Sequence, residues 1–304
     1  MNATEIISSV DEYIDAYLWL GIPEVVKGLL IAVVFAVLFR KKMLKRPAVF
    51  YIYPIVYFIL CVINVTGDLL LPHELAEKIE AFTSLNVTII LALDHLGLGT
   101  PLGIGLLIIV MFIGVLPKTE LVKNLFSIRT EMSVIGATLL AGHGLAYLSF
   151  VFYYLTEKEA EWSSRIIYGI VGSLLILLLL VPWITSFRTI RKRMSARTWK
   201  RLQTWLGVPL FILMLVFGLA LNTAGSLGSY PVIVDTWEIT TRFWGGDEPI
   251  SLYNGIGLAI SYASAKIYLV LLVSYIVLRI KKVGGQKRSK TEVSELIEEN
   301  SLSA

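Results

Sequence analysis

A chain of 304 residues of which 56% are hydrophobic and 16% charged cannot cover a soluble globule with polar side chains, so its composition marks a polytopic membrane protein. The net charge of +4 implies no nucleic-acid partner, because basic loops facing anionic lipid produce the same imbalance. No phosphate-binding Gly-rich loop, HExxH, GxSxG or dinucleotide fingerprint is present, which excludes an attached cytosolic-type catalytic, flavin or nicotinamide module.

The predicted fold is all-α, a helical bundle of about seven transmembrane spans near 24–39, 48–66, 98–117, 132–155, 166–186, 204–223 and 255–278. Residues 1–23 form an acidic extracytoplasmic segment with Glu5, Asp11, Glu12 and Asp15. The first span is a retained helix and not a cleaved signal, since its basic cluster, Arg40, Lys41, Lys42, Lys45 and Arg46, follows it. Cys61, the single cysteine, falls in the second span and reads as a packing residue. Residues 24–97 therefore hold two accessory helices and an outer loop in which His73 is solvated.

The stretch 86–100 is apolar but broken by glycines. It is either an interfacial segment with His95 in water or a re-entrant one that brings Asp94 and His95 to the bundle interior, the carboxylate orienting a ligand ring. Residues 98–223 form a four-helix core, 224–254 an outer aromatic loop, 255–283 the last transmembrane helix and 284–304 a disordered cytoplasmic tail. Basic loops after spans one, three, five and seven alternate with acidic ones, which sets the N-terminus outside and the C-terminus in the cytoplasm.

His143 stands within an otherwise apolar span, roughly 16 Å from either membrane surface at 1.5 Å per residue. An ionisable group at such depth is costly and marks a site. Gly136, Gly142 and Gly144 remove bulk around it, admitting either a flat macrocycle or a neighbouring helix. Three roles stay open: a neutral histidine hydrogen-bonded across a helix interface, a heme ligand, and a proton relay.

The apolar span ending Gly-Val-Leu-Pro (114–117), Ile-Arg-Thr-Glu (128–131), Gly-His-Gly-Leu-Ala-Tyr-Leu (142–148), Thr-Ser-Phe-Arg (185–188) and Arg-Thr-Trp-Lys-Arg-Leu-Gln-Thr-Trp (197–205) follow in order. From about Leu98 to Asn222 the chain resembles the ferric-reductase-like transmembrane domain, especially the heme-binding membrane subunit of the bacterial methionine sulfoxide reductase system. The resemblance implies that His143 ligates heme b iron and that Arg129, Lys200, Arg201 and Gln203 belong to a cofactor-binding set. It also shows a depleted ligand set: Gln203 replaces a family histidine, and another would fall at Val216 or Phe217. His95 is then the remaining candidate for a second iron ligand.

Lys266 in the last span pairs internally or snorkels, and Trp199, Lys200 and Arg201 anchor an interface or contact a quinone or heme propionate. Trp237, Phe243 and Trp244 either dock an extracytoplasmic redox protein or lie on lipid headgroups. The expected function is that of an electron-transfer subunit in the cytoplasmic membrane of a bacterium, passing electrons from quinol or a cytoplasmic donor through heme b to an extracytoplasmic flavoprotein or ferric species. The alternatives are a heme-free membrane anchor for a redox protein and, third, a transporter.

Overall fold

The computed structural model describes residues 22–70, 86, 88–94, 96–156, 165–226 and 262–285. Helix α1, Glu24–Lys45, places Glu24 in its first turn and Lys42 and Lys45 in its last, in keeping with the helix dipole. It stops at Arg46 (φ −139°, ψ 66°) because a residue before proline is driven out of the helical region. Pro47 then opens α2, Pro47–Leu70, at the one position where its missing N–H costs nothing. The two helices meet at a bend of 119°. They do not form a tight hairpin: α1 packs on α3, Thr100–Phe112, and α2 on α5, Arg129–Ala146, while α3 and α5 pack on each other.

Helix α3 is thus enclosed, and its sequence is apolar on every side, as a buried helix requires. Backbone contacts made possible by glycine set the spacing. A Cβ on Gly28 would lie 2.0 Å from the Pro101 carbonyl oxygen, and one on Gly105 would lie 2.2 Å from that of Gly28. On the opposite side, Gly103 and Gly136 approach each other's carbonyls at 3.1 and 3.0 Å by the same measure. Lipid supplies no hydrophobic drive between helices, so this close packing of small residues is what associates them. Tyr57, Cys61, Leu106, Met132 and Leu139 fill the resulting core and are fully buried.

Helix α4, Glu120–Phe126, starts at Thr119, whose hydroxyl accepts from Val122 N at 3.4 Å. After α5 the chain breaks at Tyr147 before α6, Leu148–Thr156. A π-helical stretch, Arg165–Val171, leads into α7, Gly172–Ser186; then follow α8, Arg188–Arg191, and α9, Ala196–Ser226. Helix α10 spans Tyr262–Gly285 and packs Tyr268 and Tyr275 against Phe211 and Leu215 of α9 and Val25 of α1.

The chain is an all-α membrane helical bundle. Among the described residues three helices are continuous and apolar enough to cross a bilayer, Tyr168–Ser186, Ala196–Thr223 and Tyr262–Gly285, and the bent pair α1 and α2 qualifies jointly. The outward side chains of Leu30, Val34, Leu38, Leu177, Trp205 and Val270 give it a lipid-facing apolar surface. The expected spans 98–117 and 132–155 differ from this structure. The first is a helix of 13 residues that begins only at Thr100, and the second divides at Tyr147 (φ −96°, ψ 11°). Four basic segments gather at one end. Lys282 reaches Gly114 O, Arg129 lies against Gly114, Arg191 donates to Thr130 Oγ1, and α1 touches α4.

Candidate functional site

The site begins where the 88–94 helix ends. Gly97 N donates to Asp94 O at 2.8 Å and Leu98 N to Leu93 O at 2.8 Å, which reverses the chain. Gly97 has φ +74°, a left-handed conformation that glycine adopts without a Cβ penalty. The reversal aims the Asp94 carboxylate at the start of α3, where Oδ1 accepts from Thr100 N at 2.6 Å. A carboxylate there satisfies an orphan donor and faces the positive end of the helix dipole. Gly99 leaves room for it, since a Cβ would stand 2.0 Å from Asp94 Oδ1.

Three more side chains close on this carboxylate. Tyr57 of α2 donates to Oδ1 at 3.1 Å and Oδ2 at 3.2 Å. Its oxygen lies 3.2 Å from Thr100 Oγ1, which lies 2.8 Å from Nδ1 of His143. His143 Nδ1 is 4.0 Å from Asp94 Oδ2. The Tyr147 ring sits against the imidazole with centroids 4.7 Å apart. Counting 14 residues from Arg129, the cluster lies about 21 Å along α5 from the basic end.

The proton order along this chain follows from its acceptor. An ionised carboxylate only accepts, so Tyr57 donates to Asp94. In one of the two orders open to the rest of the chain, the Tyr57 oxygen accepts from the Thr100 hydroxyl, and Thr100 accepts from Nδ1–H of His143. Every donor is used in this arrangement, and it leaves the lone pair on Nε2. A hydrogen bond from Nδ1–H is the usual means of presenting Nε2 as a ligand or base. The imidazole is only partly enclosed, its side chain being 36% exposed.

The glycines around His143 are filled by helices. A Cβ on Gly142 would lie 3.1 Å from Phe58 Cα and 3.4 Å from Cys61 Sγ, one on Gly144 would lie 3.3 Å from Ile176, and Gly136 meets α3. A bis-imidazole heme needs a second ligand at the same depth. Among the described residues His143 is the one histidine, and His95 and His73 lie outside them, as do Trp237, Phe243 and Trp244. His143 would be the one imidazole that the described residues could offer to a heme iron.

The other sequence-predicted residues lie elsewhere. Gln203 Nε2 donates to Pro182 O at 3.2 Å and contacts Thr185 Oγ1 and Ser186 Oγ at 3.3 and 3.4 Å, joining α9 to the end of α7. Trp199 Nε1 donates to Thr185 O, and the Arg191 guanidinium lies over its ring at 4.2 Å. Lys200 and Arg201 line a shallow surface depression with Arg197, Thr204 and Trp205. Arg129 is at the basic end, and Lys266 lies over the Tyr262 ring at 4.1 Å. The sequence reading missed Tyr57 and Thr100. Thr-Pro at a helix start, six residues after an aspartate, is a capping signal for Thr100; Tyr57 joins only through packing between distant helices.

Residues 99–215 match the family described as "Ferric reductase like transmembrane component", and this segment is similar to that transmembrane domain. The chain is also 26% identical over 180 residues to an uncharacterized protein of Treponema pallidum (strain Nichols), a match covering 59% of this chain and 42% of that protein. The chain thus spans less than half the length of that relative. No solved structure matches.

Proposed function

We propose that the ferric-reductase-like segment makes this chain a membrane electron-transfer subunit of a bacterial cell membrane. It takes electrons from quinol or a cytoplasmic donor and delivers them to an extracytoplasmic flavoprotein or ferric species. The observation that carries the reading is the chain of contacts from Asp94 through Tyr57 and Thr100 to Nδ1 of His143. With the donor order in which every polar hydrogen is used, these contacts hold a proton on Nδ1 and leave the lone pair on Nε2. A b-type heme held by His143 would supply one-electron chemistry. The chain's own contribution is to orient the ring, to hold the Asp94 carboxylate against the start of α3, and to pack the faces of Gly136, Gly142 and Gly144 closely.

A second reading, a heme-free membrane anchor for an extracytoplasmic redox protein, is favoured by those same faces, since helices α2, α3 and α7 already occupy them. Under either reading Trp237, Phe243 and Trp244 are the candidate docking residues for the outer partner.

A reduced-minus-oxidised absorption spectrum of the purified chain separates the two. The electron-transfer reading expects a b-type α band that disappears in His143→Ala. Its absence from protein made in a heme-replete host supports the anchor.

A further inference from the structure

At the basic end five cations converge. Lys282 of α10 donates to the carbonyl of Gly114, just beyond α3. Arg129, at the start of α5, presses on the same glycine, its Nη2 lying 3.4 Å from where a Gly114 Cβ would stand. Arg279, Lys118 and Lys200 are in electrostatic contact with Lys282, and Arg129 and Arg279 with each other. Among the described residues no carboxylate enters these contacts of Arg129 or Lys282. Like charges gathered in this way repel one another and hold together only with a counter-charge or strong packing.

Tyr275 gives the independent observation. It is 1% exposed, with its ring packed on Phe112 and Phe211 at centroid distances of 5.7 and 4.8 Å. It is in electrostatic contact with both Arg129 and Arg279. Its buried hydroxyl has no hydrogen-bond partner among the described residues. A buried hydroxyl left unpaired is costly and needs an explanation. Uncompensated guanidinium groups beside an unused donor call for a multidentate anionic acceptor, and phosphate oxygens match arginine forks in this way.

We propose that Arg129, Tyr275, Arg279 and Lys282 form a phosphate-binding site that takes the phosphodiester headgroup of an anionic membrane lipid. The lipid source follows from the apolar surroundings. The Arg129 guanidinium lies 5.6 Å from the Phe126 ring centroid, and Phe126 and Leu121 of α4 are both exposed, at 54% and 59%, so an acyl chain has a surface to lie on beside the headgroup.

The test is a titration of the delipidated full chain with short-chain phosphatidylglycerol, read by native mass spectrometry and by Tm. Phosphatidylcholine and inorganic phosphate serve as comparison probes. The expected result is one saturable phosphatidylglycerol adduct that raises Tm, with phosphatidylcholine much weaker. Tyr275→Phe keeps the ring packing and weakens the adduct about tenfold, the size of one charge-assisted hydrogen bond. Arg129→Gln with Arg279→Gln abolishes it, and Lys41→Gln with Lys42→Gln leaves it unchanged. Inorganic phosphate giving the same variant pattern keeps the phosphate site but makes its occupant a soluble phosphate, which overturns the lipid assignment. Binding that ignores Tyr275→Phe and falls equally in the Lys41/Lys42 variant is diffuse attraction to basic loops and overturns the site altogether.

Discussion

Thr100 Oγ1 meets His143 Nδ1 at 2.8 Å across 43 positions of sequence, so the first turn of α3 fixes the orientation of a ring on α5. The hydroxyl makes two contacts at once: it lies 2.8 Å from His143 Nδ1 and 3.2 Å from the Tyr57 oxygen. Thr100→Val keeps the β-branched shape and removes both contacts. The expected loss is about 1–2 kcal/mol of stability in detergent unfolding, the scale of a hydrogen-bond partner removed from a buried group. Thr100→Ser should recover most of it. If heme is bound, Thr100→Val should also broaden or shift the α band, because the ring is no longer held in one tautomer.

Asp94 serves Tyr57 and the start of α3 together, so its removal leaves two donors unpaired. Asp94→Ala is expected to cost about 2–4 kcal/mol, combining a lost helix cap with a buried unpaired hydroxyl. Tyr57→Phe in the same chain takes away that hydroxyl, so the double variant should be less destabilised than the sum of the singles. Strict additivity in this cycle would show that the two side chains are not coupled.

Much of this arrangement was legible in the sequence and some was not. The membrane class, the helices and the isolation of His143 follow from composition and apolar run length, which report directly on burial in lipid. The broken 86–100 stretch was visible through its glycines, and Asp94 does enter the bundle beside His143. The use of Gly136, Gly142 and Gly144 was not legible, since a glycine admits a helix as readily as a macrocycle and only the packed structure says which. Tyr57 looked like any aromatic residue of an apolar span, because nothing local reveals a partner 37 positions away.

The α1–α3 contact should be intolerant of any side chain at its two glycines. A methyl group on Gly28 would press into the Pro101 carbonyl and one on Gly105 into the carbonyl of Gly28, and backbone cannot rotate away as a side chain can. Gly28→Ala and Gly105→Ala are each expected to destabilise by about 3 kcal/mol or more, as overpacking with backbone displacement does. Gly284→Ala, which meets nothing within 4 Å, is the control and should match the unaltered chain in yield and Tm.

Restoring a histidine at position 203 should not complete a bis-imidazole site with His143. Gly144 of α5 faces Ile176 of α7 and Gln203 of α9 bonds to Thr185 of the same α7, which sets the relative height of two helices that both run away from the basic end. Thr185 lies nine residues after Ile176 on α7 and His143 is next to Gly144, a vertical separation of about 13 Å at 1.5 Å per residue. Gln203 is also anchored at Pro182 O, Thr185 and Ser186, at the far end of α7 from His143. Val216 and Phe217, the other family histidine positions, are closer to the height of His143 by the same count. Electron paramagnetic resonance of heme-loaded Gln203→His should therefore match the signal of the unaltered chain, whereas Phe217→His or Val216→His should add a low-spin component. A low-spin bis-imidazole signal from Gln203→His that vanishes with His143→Ala would show that α9 sits about nine residues out of the register described here.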